Sequence, residues 1–281
     1  MRQIRLLSLL VILRAIGLSQ PFLTEVRGLD SDGVLLLRTS DPAARGAVPT
    51  PQSEQEDALL RYAVVLTNTT SHPIIAYYVH WKFTDSGGTV RHGLVKDKSF
   101  PGGNPIAPHS AKLLSLDNGI GAGAFGFSQR SQDRMDQRLR FYHEQRGIEA
   151  SLELVVLDDG TAVGPDSEGW LPHFRAWMDA ERDFVHTVLA ENSVMSFRQR
   201  VLDAREQGFD ALPKDAPKSL TRLGGLGDWE RDYSRCYQLA TGFFAVQVAE
   251  WIDQTGEDAA KRRLLLITGS KHYPELRRKG Q

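Results

Sequence analysis

Residues 62–88 read YAVVLTNTTSHPIIAYYVHWKFTDSGG, two strands of period-two hydropathy around a polar turn at 68–73, with a second turn at Ser86-Gly87-Gly88. In the second strand Ile75, Tyr77, Val79, Trp81 and Phe83 share one face. Ile74, Ala76, Tyr78, His80, Lys82 and Thr84 grade from apolar to polar along the other. The pattern predicts a half-buried antiparallel strand whose odd-numbered side chains enter a core. The start of its even-numbered face is too apolar to lie idle, so either the chain's own helices or a partner must cover it. The stretch specifies a fold and no chemistry.

Outward from this strand the same period recurs. Residues 24–30 and 34–38 are joined at Ser31-Asp32-Gly33, which is hairpin chemistry, and 41–55 follow as a polar loop. Residues 58–67 alternate, with Leu60, Tyr62, Val64 and Leu66 on one face. Residues 89–95 can pair back on the central strand, the Pro/Gly cluster 101–105 breaks the chain, and a further strand fits 111–116. Residues 151–157 place Leu152, Leu154 and Val156 on one face, and 161–163 return as a short final strand. About seven strands with no amphipathic helix before residue 128 predict an antiparallel β-sandwich. Met135, Leu139 and Tyr142 recur at helical spacing within 128–146, a predicted surface helix. Beyond Pro165 the period becomes 3.6. Trp170, Phe174, Trp177, Phe184, Val185 and Val188 stripe one helix and a second fits 194–206; Gly208, Pro213 and Pro217 then make a linker. Asp228 is a suitable N-cap for a long helix ending near Gly256, and 257–267 form a last one. The expected architecture is α+β, a β-sandwich domain at 20–165 followed by a helical domain at 166–281.

The 281 residues are 41% hydrophobic, enough for a sizeable core, and 34 Lys and Arg nearly balance 35 Asp and Glu. That balance excludes whole-chain attraction to nucleic acid or an anionic membrane. Residues 1–19 have the layout of a secretory signal peptide: Arg2 and Arg5, the apolar run 6–13, then small residues before Gln20-Pro21. Arg14 interrupts the pattern, and the competing reading is a packed N-terminal helix of a cytoplasmic protein. Cleavage after Ser19 would remove three arginines and take the formal charge from -1 to -4. The apolar run is short of the ~20 residues that span a bilayer, so no transmembrane segment is expected in the mature chain. Cys236, the only cysteine, leaves no intrachain disulfide and no Cys-rich metal site.

Val64-Val65-Leu66-Thr67-Asn68-Thr69-Thr70 followed by Pro73-Ile74-Ile75-Ala76-Tyr77 resembles the strand, Asn, polar turn, Pro, strand hairpin of immunoglobulin-like accessory domains in exported bacterial proteins. Residues 154–164, LVVLDDGTAVG, resemble their final strand pair. Trp81 stands where the core tryptophan of the antibody fold would, without that family's paired cysteines. The resemblance implies a fold and an extracytoplasmic habit, and carries over no catalytic residue.

Candidate chemistry is sparse. Gly121-Ala122-Gly123-Ala124-Phe125-Gly126 matches G-x-G-x-x-G but lacks the βαβ context of a dinucleotide site, so no cofactor is expected. His80 and His92 share a face if the intervening loop has an odd number of residues and point apart if it has two, and no third metal ligand stands at a recognisable spacing, so no metal is expected. Asp179, Glu181, Asp183 and His186 crowd one helix, where Asp183 and His186 could serve acid-base hydrolysis or simply belong to a face ion-paired with Arg175 and Arg182. Cys236 has no recognisable base. Tyr78 and His80, with Lys82 beyond, form a candidate binding set if no helix covers them. The basic residues Lys271, Arg277, Arg278 and Lys279 read as a solvated terminus. Asn68-Thr69-Thr70 fits the glycosylation pattern, though turn geometry explains the asparagine more simply. The leading expectation is a non-catalytic exported protein, periplasmic or secreted, that contacts a protein or envelope component. The alternative is a hydrolase at the sandwich-helix junction using Asp183, His186 or the Gly121 loop.

Overall fold

A computed structural model describes residues 23–98, 105–116, 129–191, 194–210, 232–269 and 273–280. Residues 1–19 expected as a signal peptide, the glycine string 121–126, Pro213, Pro217, Asp228 and Lys271 lie outside the described residues. In order come β1 (Leu23–Arg27), β2 (Val34–Arg38), α1 (Glu54–Leu60), β3 (Val64–Asn68), β4 (Ile74–Asp85), β5 (Val90–Lys98), β6 (Ala111–Leu114), α2 (Gln129–His143), β7 (Gln145–Leu157) and β8 (Thr161–Val163). Then follow α3 (Leu171–Val188), α4 (Phe197–Asp210), α5 (Tyr233–Thr255), α6 (Glu257–Thr268) and β9 (Arg277–Arg278). The fold is α+β.

Strands β2, β3 and β6 form a small antiparallel sheet, and β5, β4, β7, β8 and β9 lie side by side in a larger one, with β1 also on β7. Both sheets feed one core. Val34, Leu36, Val64, Leu66 and Leu114 meet Tyr77, Val79, Trp81, Phe83, Ile148 and Leu152 there. Trp81 is 1% exposed, and burying a ring of that size stabilises by roughly 3 kcal/mol.

Four features depart from the expected antiparallel sandwich followed by helices. First, the large sheet is mixed, because β1 runs parallel to β7 and β8 parallel to β9. The Ser31-Asp32-Gly33 turn does not close a hairpin between β1 and β2. Gly33 at φ 73 turns the chain from one sheet into the other. Second, helices also sit within 20–165. Ser53 Oγ accepts from the Glu56 amide at 3.1 Å and starts α1 where alternation suggested a strand. Third, β9 returns to the sheet after the helices, so 166–281 is not wholly helical. Fourth, two bulges shift the side-chain phase. The extra residues Ile75 in β4 and Glu153 in β7 put Ile74 and Leu152 into the inter-sheet core, while Leu154 and Val156 face outward.

That outward face is where the helices dock. Ala76, Tyr78, Leu154, Val156 and Ala162 pack against Trp170, Leu171, Phe174, Met178 and Leu276. The opposite side of α3 supplies Ala180, Phe184 and Val188 to a second core with α4, α5 and α6. Asp166, at φ 46 and nearly buried, anchors the junction: it accepts from the Trp170 and Leu171 amides at 2.5 and 3.2 Å and from Arg278 at 2.7 Å. The carboxylate thus satisfies the first orphan amides of α3 while tying that helix to β9. Arg278 and, through Asp32 at 2.7 Å, Lys279 are therefore built into the fold and do not form a free basic tail.

Candidate functional site

The even-numbered face of β4 divides at His80. Tyr78, expected as half of an exposed binding set, is 1% exposed: Trp170 tilts over its ring at 4.8 Å and its hydroxyl donates to Glu168 Oε2 at 2.9 Å. The chain's own helix α3 and the loop before it are the cover, and the ring offers no contact surface. Burial, then the Glu168 charge, pushes its hydroxyl well above the ordinary tyrosine range.

From His80 onward the face is open and polar. The Asp85 amide donates to Thr89 O across a three-residue loop, so His92 stands opposite Lys82 and diagonal to His80 on the same face. The two imidazoles stack, centroids 4.9 Å apart and planes 14° from parallel, with His80 Nε2 2.8 Å from His92 Nδ1. Glu168 Oε1 lies 3.8 Å from the same His80 nitrogen. Burial holds His80 below the ordinary histidine value; Glu168 opposes this and His92 adds to it. Next along the sheet Lys82 pairs with Glu149 at 3.1 Å, Arg27 reaches the same carboxylate at 3.3 Å, and Glu25 holds Arg27 at 2.7 Å. The bulged Glu153 accepts from Ser151 at 2.9 Å and Ser167 at 2.6 Å.

The acidic residues of α3 are divided among different tasks. Asp179 accepts from the Tyr233 hydroxyl at 2.7 Å and pairs with Arg182 at 3.0 Å, and Asp183 accepts from the Tyr237 hydroxyl and from Arg182, both at 3.0 Å. These bonds lace α3 to α5; burial, and then the bonds to the two carboxylates, push both tyrosine hydroxyls up to about 12. Glu181 lies on another side of the helix, buried. His186 is exposed, and no hydrogen bond joins it to Asp183 among the described residues. The structure does not converge Asp183 and His186 on a point where a substrate could sit.

One pairing had no sequence signal. Cys236 Sγ lies 3.3 Å from His173 Nδ1, across 63 positions, so no spacing rule could join them. Thiol beside imidazole is the chemistry of a nucleophile and its base. Here both are sealed, at 0% and 3% exposure, with Trp170, Phe174 and Trp177 around the imidazole. The contact serves packing. Among the described residues no group of three or more His, Cys, Asp or Glu side chains could hold a metal ion. A shallow cleft of about 270 Å³ between α3, α5 and α6 is lined by apolar side chains such as Phe184, Phe244, Val248 and Trp251, with Glu181 in its wall, and includes none of the predicted site residues. Asn68 is fully buried, donating to the carbonyls of His72, Ile106 and Ala107 and accepting from Thr70, which places it out of reach of glycosylation in the folded chain. No described helix is long and apolar enough to cross a membrane.

Comparison with known proteins finds no matching family model, curated protein or solved structure.

Proposed function

We propose that the chain is a non-catalytic exported protein, an immunoglobulin-like sandwich buttressed by helices, that binds a protein or envelope component through the outer face of its large sheet. The observation that carries the reading is the division of that face. Its apolar half is covered from within, and its other half presents His80, His92, Lys82, Glu149 and Arg27 on a rigid sheet. Strand order supports the fold assignment. If β2 to β8 are lettered A to G, then A, B and E form one sheet and C, F and G adjoin in the other, with Trp81 on C, while D lies beside C where the constant-type order places it beside E. The hydrogen bonds that bind Asp179 and Asp183 to tyrosines favour this over hydrolysis.

Two measurements test it. A photoreactive residue at Lys82 should crosslink to one envelope component in the native host, and the same residue at Arg198 on α4 should not; equal labelling from both positions would sink the binding face. The purified chain should leave chromogenic esters, glycosides and peptides unchanged. Turnover abolished by Asp183→Asn would replace this reading with the hydrolase.

A further inference from the structure

We propose that His80 and His92 form a proton-operated clasp on the outer face of the large sheet, closed when the pair shares one proton and opened when a second arrives. The clasp goes beyond the binding reading.

The argument begins with the bond itself. Two imidazole nitrogens 2.8 Å apart make a hydrogen bond only if one donates and the other accepts. Neutral imidazoles satisfy this, one in each role, and so does a pair bearing one extra proton. A doubly protonated pair has two donors and no acceptor at the contact, and two like charges in stacked rings. The bond then cannot persist.

The surroundings decide where the rings go. On β4 the flanking groups are Tyr78, whose hydroxyl is engaged by Glu168, and Lys82, engaged by Glu149. From β7 come Glu149 and Glu153, from β1 Arg27 and Glu25, and from the loop before α3 Glu168; on β5, Lys96 stands in register with Tyr78. Lys82 and Arg27 both neutralise Glu149, whereas Glu153 is held by two hydroxyls that carry no charge. Acceptors of positive charge therefore stand on the Glu168 and Glu153 side of His80. His80, with a side chain only 16% exposed, can turn its proton towards Glu168. His92 is exposed and belongs to the edge strand, so its ring is the one free to leave. Opening, on the second of two added protons, converts a singly charged stacked pair into an imidazolium-carboxylate contact at the helical junction and a solvent-facing cation on the sheet.

The test is a titration of the full chain followed by NMR of the histidine ring carbons and nitrogens from pH 8 to 4.5. His80→Gln and His92→Gln spectra assign the two rings. At pH 8 the nitrogen shifts should show one ring donating and its neighbour accepting at the contact. On acidification the His80 ring should titrate in two steps, and His92→Gln should restore a single simple curve in His80, with its midpoint moved up. Glu168→Gln should move the midpoint of His80 down. A single-step His80 curve in the unmodified chain, unmoved by His92→Gln, would overturn the clasp. A linked titration insensitive to Glu168→Gln would overturn the assigned destination of the proton.

Discussion

Helices α4 and α5 approach closely where Gly208 meets Gly242, and Gly208→Ala probes the contact directly. On an exposed helix the change would add roughly 1 kcal/mol of stability from helix propensity. Here an added Cβ would stand 2.4 Å from the Gly242 nitrogen, 2.5 Å from its Cα and 2.9 Å from the Gln238 carbonyl. All three are backbone atoms of the partner helix, so no side-chain rotation relieves them. Ordinary contact needs roughly another 1 Å, and a gap of that size forfeits about a quarter to a half of each neighbouring dispersion contact. The loosened seam holds Phe197, Val201 and Ala204 against Ala240, Phe244 and Ala245. Overpacking of this kind costs about 1–3 kcal/mol. Less the propensity gain, the expected net loss is about 1 kcal/mol, or roughly 2–4 °C in the melting temperature of a chain this size. The assay is thermal unfolding by circular dichroism, with Gly46→Ala, whose added Cβ meets nothing within 4 Å, as the control. A Gly208→Ala protein as stable as the parent would refute the close helix contact.

Other outcomes follow from the same geometry. Asp166→Ala removes the acceptor for the Trp170 and Leu171 amides and for Arg278, and should cost about 2–4 kcal/mol in urea unfolding, more than Glu25→Ala on the exposed sheet edge. Asn68→Ala strands three carbonyls and should cost about 3 kcal/mol or prevent recovery of soluble protein; near-neutral unfolding would contradict the buried network. His80 is held below its ordinary value, so the unfolded chain binds more protons at that site. Its contribution is therefore present above the unfolded value of about 6.5 and lost as pH falls from there through the lower folded value. Melting temperatures at pH 7.5 and 5.5 should differ less in His80→Gln than in the parent. Cys236 should resist a thiol reagent in the native protein and react fully in guanidinium; rapid native labelling would show that the His173 pair is reachable.

The sequence made the central strand and most helices legible because their periods are local. Trp81 and Phe83 needed only alternation, and the stripe through Phe174 and Phe184 only 3.6-residue spacing. Bulges defeat such reasoning, since one extra residue reverses the phase between the two sides of it: Ile75 and Glu153 put Ile74 and Leu152 on the face opposite to Ala76 and Leu154. The helix capped by Ser53 was readable from Ser53-x-x-Glu56, but the alternation that follows it masked the signal. Parallel pairing of β1 with β7 links positions more than 100 residues apart, where turn chemistry has nothing to say. At the candidate site, the pairing of His80 with His92 waited on the loop length, and the burial of Tyr78 on Trp170, which read from sequence only as the start of a helical stripe.

The late return of Arg277 and Arg278 to the sheet sets an order of assembly. Thr161 and Ala162 have no partner on that side until the chain 116 residues later arrives, and Leu276 and Arg278 then close over the helix that Asp166 begins. During synthesis the sheet can form its early pairs, but its seam with α3 stays unlatched until residues 276–279 emerge. Such long-range closure slows folding. It also makes resistance to proteolysis depend on those residues: a ribosome-stalled chain in which residue 276 has not left the exit tunnel should be cut at the 164–170 loop, and one in which residue 279 has emerged should not.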